Sequence, residues 1–131
     1  MNLVGVIALI TGLTIVEMNK ASNRDTRFTS AHGIMGLITY IFIFSQAFVG
    51  FVQFYVPQQV LGSVDRGKSI YKYHRMSGYL ILVMALATIC AATQTTFNAD
   101  VLHVKWWAAL VAGILVLAGV LPRIKKSKLR W

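Results

Sequence analysis

Acidic side chains are scarce in this 131-residue chain: four Asp and Glu stand against thirteen Lys and Arg, a formal net charge of +9. No paired carboxylates, nucleophile–base couple, Cys/His cluster or phosphate-binding glycine loop can be picked out, so no catalytic residue is assigned. Cysteine is nearly missing too. Cys90 is alone, which excludes an intrachain disulfide, and its apolar neighbours make it a small buried hydrophobe. Only two prolines occur, Pro57 and Pro122, and both fall where apolar runs end. There is no Asn-x-Ser/Thr acceptor, no repeat and no low-complexity tract, and the first apolar run lacks the basic lead-in of a signal peptide. The cations cluster near segment ends, the pattern of a topology signal, so no nucleic-acid partner is expected.

What the chain has instead is grease: 56% of its residues are apolar, with a mean hydropathy of +0.64. That is the composition of a small membrane protein whose first partner is the lipid bilayer. Four apolar stretches, about 2–18, 30–55, 73–96 and 101–121, are long enough to cross a hydrocarbon core of about 30 Å at about 1.5 Å per residue. The fold class expected is all-α, a four-transmembrane-helix antiparallel bundle forming a single transmembrane domain over 1–131, with a basic tail at 122–131. The first stretch is short and starts abruptly at the chain end, as a helix trimmed at one end does. The connection Asn19 to Thr29 mixes charges with turn-forming Ser22 and Asn23, and Thr29 or Ser30 caps the second helix. Val56 to Tyr73 reads as a loop, broken by Pro57, Gly62 and Gly67. Asp100 is a cap for the fourth helix, Trp106 and Trp107 are interfacial anchors, and Pro122 closes the span.

The second stretch has a defined inside. At about 100° per residue, His32, Thr39, Gln46 and Gln53 recur every seventh position and form one polar stripe, which Gly36 and Gly50 share. Tyr40, Phe44, Phe48, Phe51 and Tyr55 form a second stripe that suits lipid. Intramembrane polar residues face the bundle interior because hydrocarbon offers them no partner. In the third stretch His74, Gly78, Ala85 and Ala92 share a face, with Ser77, Thr88 and Thr95 beside it. The Ala87…Ala91 pair permits close helix approach.

Counting Lys and Arg gives nine on the side holding the 56–75 loop and the tail, against four on the other, which predicts both termini in the cytosol. His74 is then near the cytosolic surface and His32 near the opposite one, with about 35 Å of helix between them. One such histidine is more often a satisfied interfacial residue than a ligand. Two, each leading a small or polar face on antiparallel helices, suit stacked cofactors near opposite surfaces. A haem iron with two axial imidazoles stays six-coordinate and transfers electrons, the chemistry of a transmembrane relay.

The residues resemble the cytochrome b561 family, especially its short animal and fungal members without a sensor domain. Ser30-Ala31-His32-Gly33 looks like the segment opening that family's fourth helix. Tyr73-His74-Arg75-Met76-Ser77-Gly78-Tyr79 looks like the one opening its fifth. The resemblance covers essentially the whole chain but only helices three to six of a six-helix core. It implies a two-haem, ascorbate-driven transmembrane electron carrier that reduces ferric iron or monodehydroascorbate. His32 and His74 are then axial ligands to the non-cytosolic and cytosolic haem b. Lys68, Lys72 and Arg75 stand beside the cytosolic haem as candidates for holding the ascorbate anion, or else serve as topology determinants and headgroup contacts.

The sequence also departs from the family. Its partner histidines belong to the second helix and to the start of the third, and both are missing here; His103, in a connection, is a poor substitute. Two functions therefore follow. In one, the chain is an electron carrier whose missing ligands come from upstream sequence or another chain, a partner or a homo-oligomer mate. In the other, it is a haem-free accessory or structural subunit of a larger membrane complex. A chance match, leaving an unrelated four-span scaffold, is the third reading.

Overall fold

A computed structural model describes residues 3–22 and 29–124. Four helices are long and apolar enough to cross a membrane, and no strand occurs among the described residues. The protein is an all-α, multi-pass membrane protein. The connection over 23–28 and the tail beyond Ile124 lie outside the described residues.

Helix α1 spans Leu3–Ser22 and α2 spans Ala31–Tyr55. Ser30 caps α2, its Oγ accepting the Gly33 N–H at 3.0 Å. A short helix, α3, Pro57–Leu61, then starts with Pro57 in its first turn, where the missing N–H costs nothing. It stops at Gly62, whose φ of +79° is open to glycine and strained for other residues. Helix α4 runs Val64–Ala92, starting nine residues before the expected 73. Ser63 Oγ accepts the Arg66 N–H at 3.2 Å, and Asp65 sits in the first turn where the helix dipole favours an anion. Those start signals outweigh the charges and Gly67 that read as loop. Gly67 lies inside the helix, and a Cβ there would be 3.2 Å from Pro57 Cβ, so α3 folds tightly onto α4.

The end of α4 comes earlier than expected. Thr93 Oγ1 donates to the Cys90 carbonyl at 2.7 Å, and Asn98 Nδ2 and Thr95 Oγ1 both donate to the Ala92 carbonyl, satisfying the orphan acceptors of the last turn. A π turn, Asn98–Leu102, closes on His103, which is left-handed at φ 52°. Helix α5, Trp106–Val120, begins after it from Lys105 with no side-chain cap, and a 3-10 turn, Leu121–Arg123, follows. Asp100 is therefore not the cap of the last span. It lies in the π turn, separated from α5 by the left-handed residue.

The interior is inverted relative to a water-soluble bundle. Val52 is the one buried large hydrophobe among the described residues, whereas Thr39, Gln53, Thr88 and Thr93 are buried and Phe48 is 67% exposed. Lipid tails are as apolar as leucine, so helices gain little by hiding hydrophobes and associate through small and polar contacts. That is how α2 meets α4. Gln46 donates to the His74 carbonyl and accepts from Ser77 Oγ at 2.9 Å, while His32 bonds the Thr88 carbonyl. As the α2 residue rises by fourteen from His32 to Gln46, its α4 partner falls by fourteen from Thr88 to His74, so the two helices are antiparallel and in register throughout. The polar stripe of α2 thus faces α4, and Phe48, Phe51 and Tyr55 are exposed where lipid would lie.

The Thr39 and Thr88 hydroxyls are 3.2 Å apart, and each also reaches the carbonyl four residues back in its own helix. A double-mutant cycle of Thr39→Val and Thr88→Val is expected to give a coupling of about 0.6 kcal/mol in reversible detergent unfolding, typical of interhelical bonds in membranes. Additivity of the two changes would show that the hydroxyls spend their hydrogens inside their own helices.

Candidate functional site

Two clefts open between α1 and the α2–α4 pair, one toward each end of α1. The first, about 480 Å³, is lined by Gly5, Val6 and Leu9 of α1, Gln46, Gly50 and Gln53 of α2, and Tyr71 and His74 of α4. The second, about 710 Å³, is lined by Leu13, Val16 and Glu17 of α1, His32, Gly33 and Gly36 of α2, and Thr88 of α4. Both fall in the size range of cofactor pockets. α1 stands off from the tightly packed pair, and a Cβ at Gly12 would meet nothing within 4 Å.

His32 is fixed in a useful tautomer. Its Nδ1 lies 3.1 Å from the Thr88 carbonyl, and a carbonyl only accepts, so Nδ1 carries a hydrogen, and in the neutral ring the lone pair is then on Nε2. Metal-ligating imidazoles are commonly held this way by a backbone acceptor on the other nitrogen. Ser30, by capping α2, sets the turn from which His32 projects.

His74 is seated differently. The expectation that it opens its helix is corrected: with α4 beginning at Val64, it lies nearly three turns inside. Its ring packs on Gly50, where a Cβ would be 3.1 Å from Cε1 and 3.4 Å from Nε2. Gly50 is a cradle shaped to the imidazole. Gln46 and Ser77 hold the His74 backbone carbonyl, while its buried Nδ1 has no hydrogen-bond partner among the described residues. Gly50 is eighteen residues from His32, about 27 Å along α2, shorter than the 35 Å expected because His74 is not at a helix end. That span keeps the two imidazoles at separate sites.

Of the three candidate substrate cations, Arg75 lines a cleft with His74, on the side where Val120 closes it. Lys68 is exposed and ion-paired with Asp65 at 3.1 Å, and Lys72 lies 5.0 Å over the Tyr73 ring. His103 donates Nδ1–H to the Ala99 carbonyl at 3.0 Å on the surface and is not among the residues lining the His32 cleft. Among the described residues no three His, Cys, Asp or Glu come together. The wall that α1 provides went unread in the sequence, because its lining residues are ordinary aliphatics with no polar pattern. Tyr71 was missed as well, being hidden in a stretch that reads as loop.

A family model of eukaryotic cytochrome b561 matches residues 1–100, three quarters of the sequence, and spans both histidines and both clefts. The chain belongs to the cytochrome b561 family. No curated protein and no solved structure matches it. Haem, which the family implies, would be compatible with the groups present: an imidazole with Nδ1 held at His32, an imidazole seated on a glycine at His74, and a cleft of adequate size at each. A second imidazole for either cleft does not come from the described residues of the chain itself.

Proposed function

We propose that this b561-family chain carries electrons across a membrane through b-type haem, with His32 and His74 each supplying one axial ligand at opposite ends of α2. The observation that carries the reading is the pairing of each histidine with its own cleft. Haem held by these imidazoles and their opposing ligands would supply one-electron chemistry. His32 presents Nε2 because Thr88 holds Nδ1, and the Gln46–Ser77 clasp fixes the height of His74. Upstream sequence or another chain, a partner or a second copy, contributes the opposing ligands. The excess of cations beside His74 and in the tail supports cytosolic termini, which puts His74 toward the cytosol. Ascorbate is the electron donor there, with Arg75 lining a separate cleft at His74, away from α1, and Lys68 and Lys72 adding positive potential. Ferric iron or monodehydroascorbate is the acceptor on the other side.

A reduced-minus-oxidised spectrum of the native preparation tests this, with iron and haem stoichiometry on the same sample. An ascorbate-reducible b-type spectrum is expected. A native complex free of Soret absorbance and of stoichiometric iron would leave the second reading, a haem-free accessory subunit of a membrane complex. That reading draws on one observation, that the described residues supply a single imidazole per cleft.

A further inference from the structure

Gln53 is only 6% exposed, lines the His74 cleft, and among the described residues has no hydrogen-bond partner for either Nε2 or Oε1. Hydrocarbon offers an amide nothing, so an unanswered glutamine at this depth is disfavoured against a leucine of similar size. Gln46 provides the internal comparison. It lies seven residues earlier on the same stripe, and its amide is answered at both ends by the His74 carbonyl and Ser77 Oγ. Gln46 is a clasp between helices; Gln53 is not.

Its position says what it answers. Gly50 faces the His74 ring, and Gln53 lies three residues further along α2, about 4.5 Å nearer that helix's C-terminal end. Tyr71 lies three residues before His74 on antiparallel α4, displaced the same way by the same amount, and lines the same cleft. Both stand on the side of the imidazole that faces the nearer end of the bundle. Iron protoporphyrin is an apolar plate with two carboxylates on one edge, and burial of the plate drives that edge toward water.

We propose that Gln53 is the hydrogen-bond anchor for the carboxylate edge of the cofactor ligated by His74, with Tyr71 beside it. The assignment rests on the haem reading above. The amide N–H groups donate to an ionised acceptor, the stronger class of hydrogen bond, and the orphaned polar group finds its partner only when cofactor is bound.

The test is a titration of the full-length apoprotein in nanodiscs, in a His32→Ala background that isolates the His74 site. Two probes are used: iron protoporphyrin IX and its dimethyl ester, which lacks the anionic oxygens. Gln53→Leu is expected to weaken binding of the free acid about tenfold, the size of one bond to a charged group, and to leave the ester unchanged. The apoprotein melting temperature should hold or rise, since an unanswered amide is removed. Gln53→Glu, placing like charge against like, should weaken the free acid further and spare the ester. Equal affinities for both probes across the variants, or equal losses for both, would overturn the assignment while leaving haem ligation standing. A Soret band that the His32→Ala protein shifts no more than the His32→Ala/His74→Ala protein does would instead overturn ligation by His74, and the anchor with it.

Discussion

Replacing His74 with alanine is expected to remove one haem per chain and leave the other spectrally intact, and His32→Ala is expected to do the reverse. Affinity at the altered site should fall by more than about 100-fold, since loss of a mere outer-shell partner costs about 10- to 100-fold. The two changes differ in their structural cost. His32→Ala deletes the bond to the Thr88 carbonyl, about 0.6 kcal/mol of helix association. His74→Ala removes a ring whose buried Nδ1 has no partner, and the Gln46 clasp survives because it holds the backbone carbonyl. Haem stoichiometry and far-ultraviolet circular dichroism, taken together, separate ligation from folding. Retention of both haems by either folded variant would dismiss that histidine as a ligand.

Gly50→Val should be nearly as damaging at one site and silent at the other. Its Cβ would stand 3.1 Å from His74 Cε1 and 3.4 Å from Nε2 before the branched methyls are added, so the imidazole must turn out of its cradle or α2 and α4 must part. Overpacking of this kind costs about 1–3 kcal/mol. The expected result is loss of the His74 haem, retention of the His32 haem, and a lower melting temperature. Gly113→Ala, on α5 and outside both clefts, is the control. Its added Cβ meets Leu86 Cβ at 4.0 Å, ordinary contact, and alanine is the better helix former by about 1 kcal/mol. Gly113→Ala should therefore be neutral or stabilising and keep both haems. Equal loss of both haems in Gly50→Val would mean that the cradle matters for the bundle and not for His74.

The inward face of α2 was legible because a seven-residue recurrence of polar side chains in an apolar run marks a bundle-facing stripe: His32, Thr39 and Gln46 turn to α4, and Gln53 is buried beside the His74 cleft. The small-residue face around His74, Ser77 and Gly78 was legible for the same reason. The start of α4 was not. Asp65, Arg66 and Lys68 are surface charges on a helix that extends past the apolar stretch, and hydropathy sees only the part that is greasy. The resulting error in the depth of His74 follows directly, since its height in the membrane is counted from the helix start. Asp100 misled because an acidic residue before an apolar run is a strong start signal, and nothing in sequence reveals that His103 will adopt a left-handed conformation and interrupt it. What Gln53 does was out of reach of periodicity, which assigns a face but not a partner.

The helices also differ in reach. α2 has 25 residues, about 37 Å, while the last span, Trp106–Arg123, has 18, about 27 Å. Against a hydrocarbon slab of about 30 Å the first is too long and the second slightly short, so the two favour bilayers of different thickness. Membranes that differ in thickness are then expected not to hold the protein equally well.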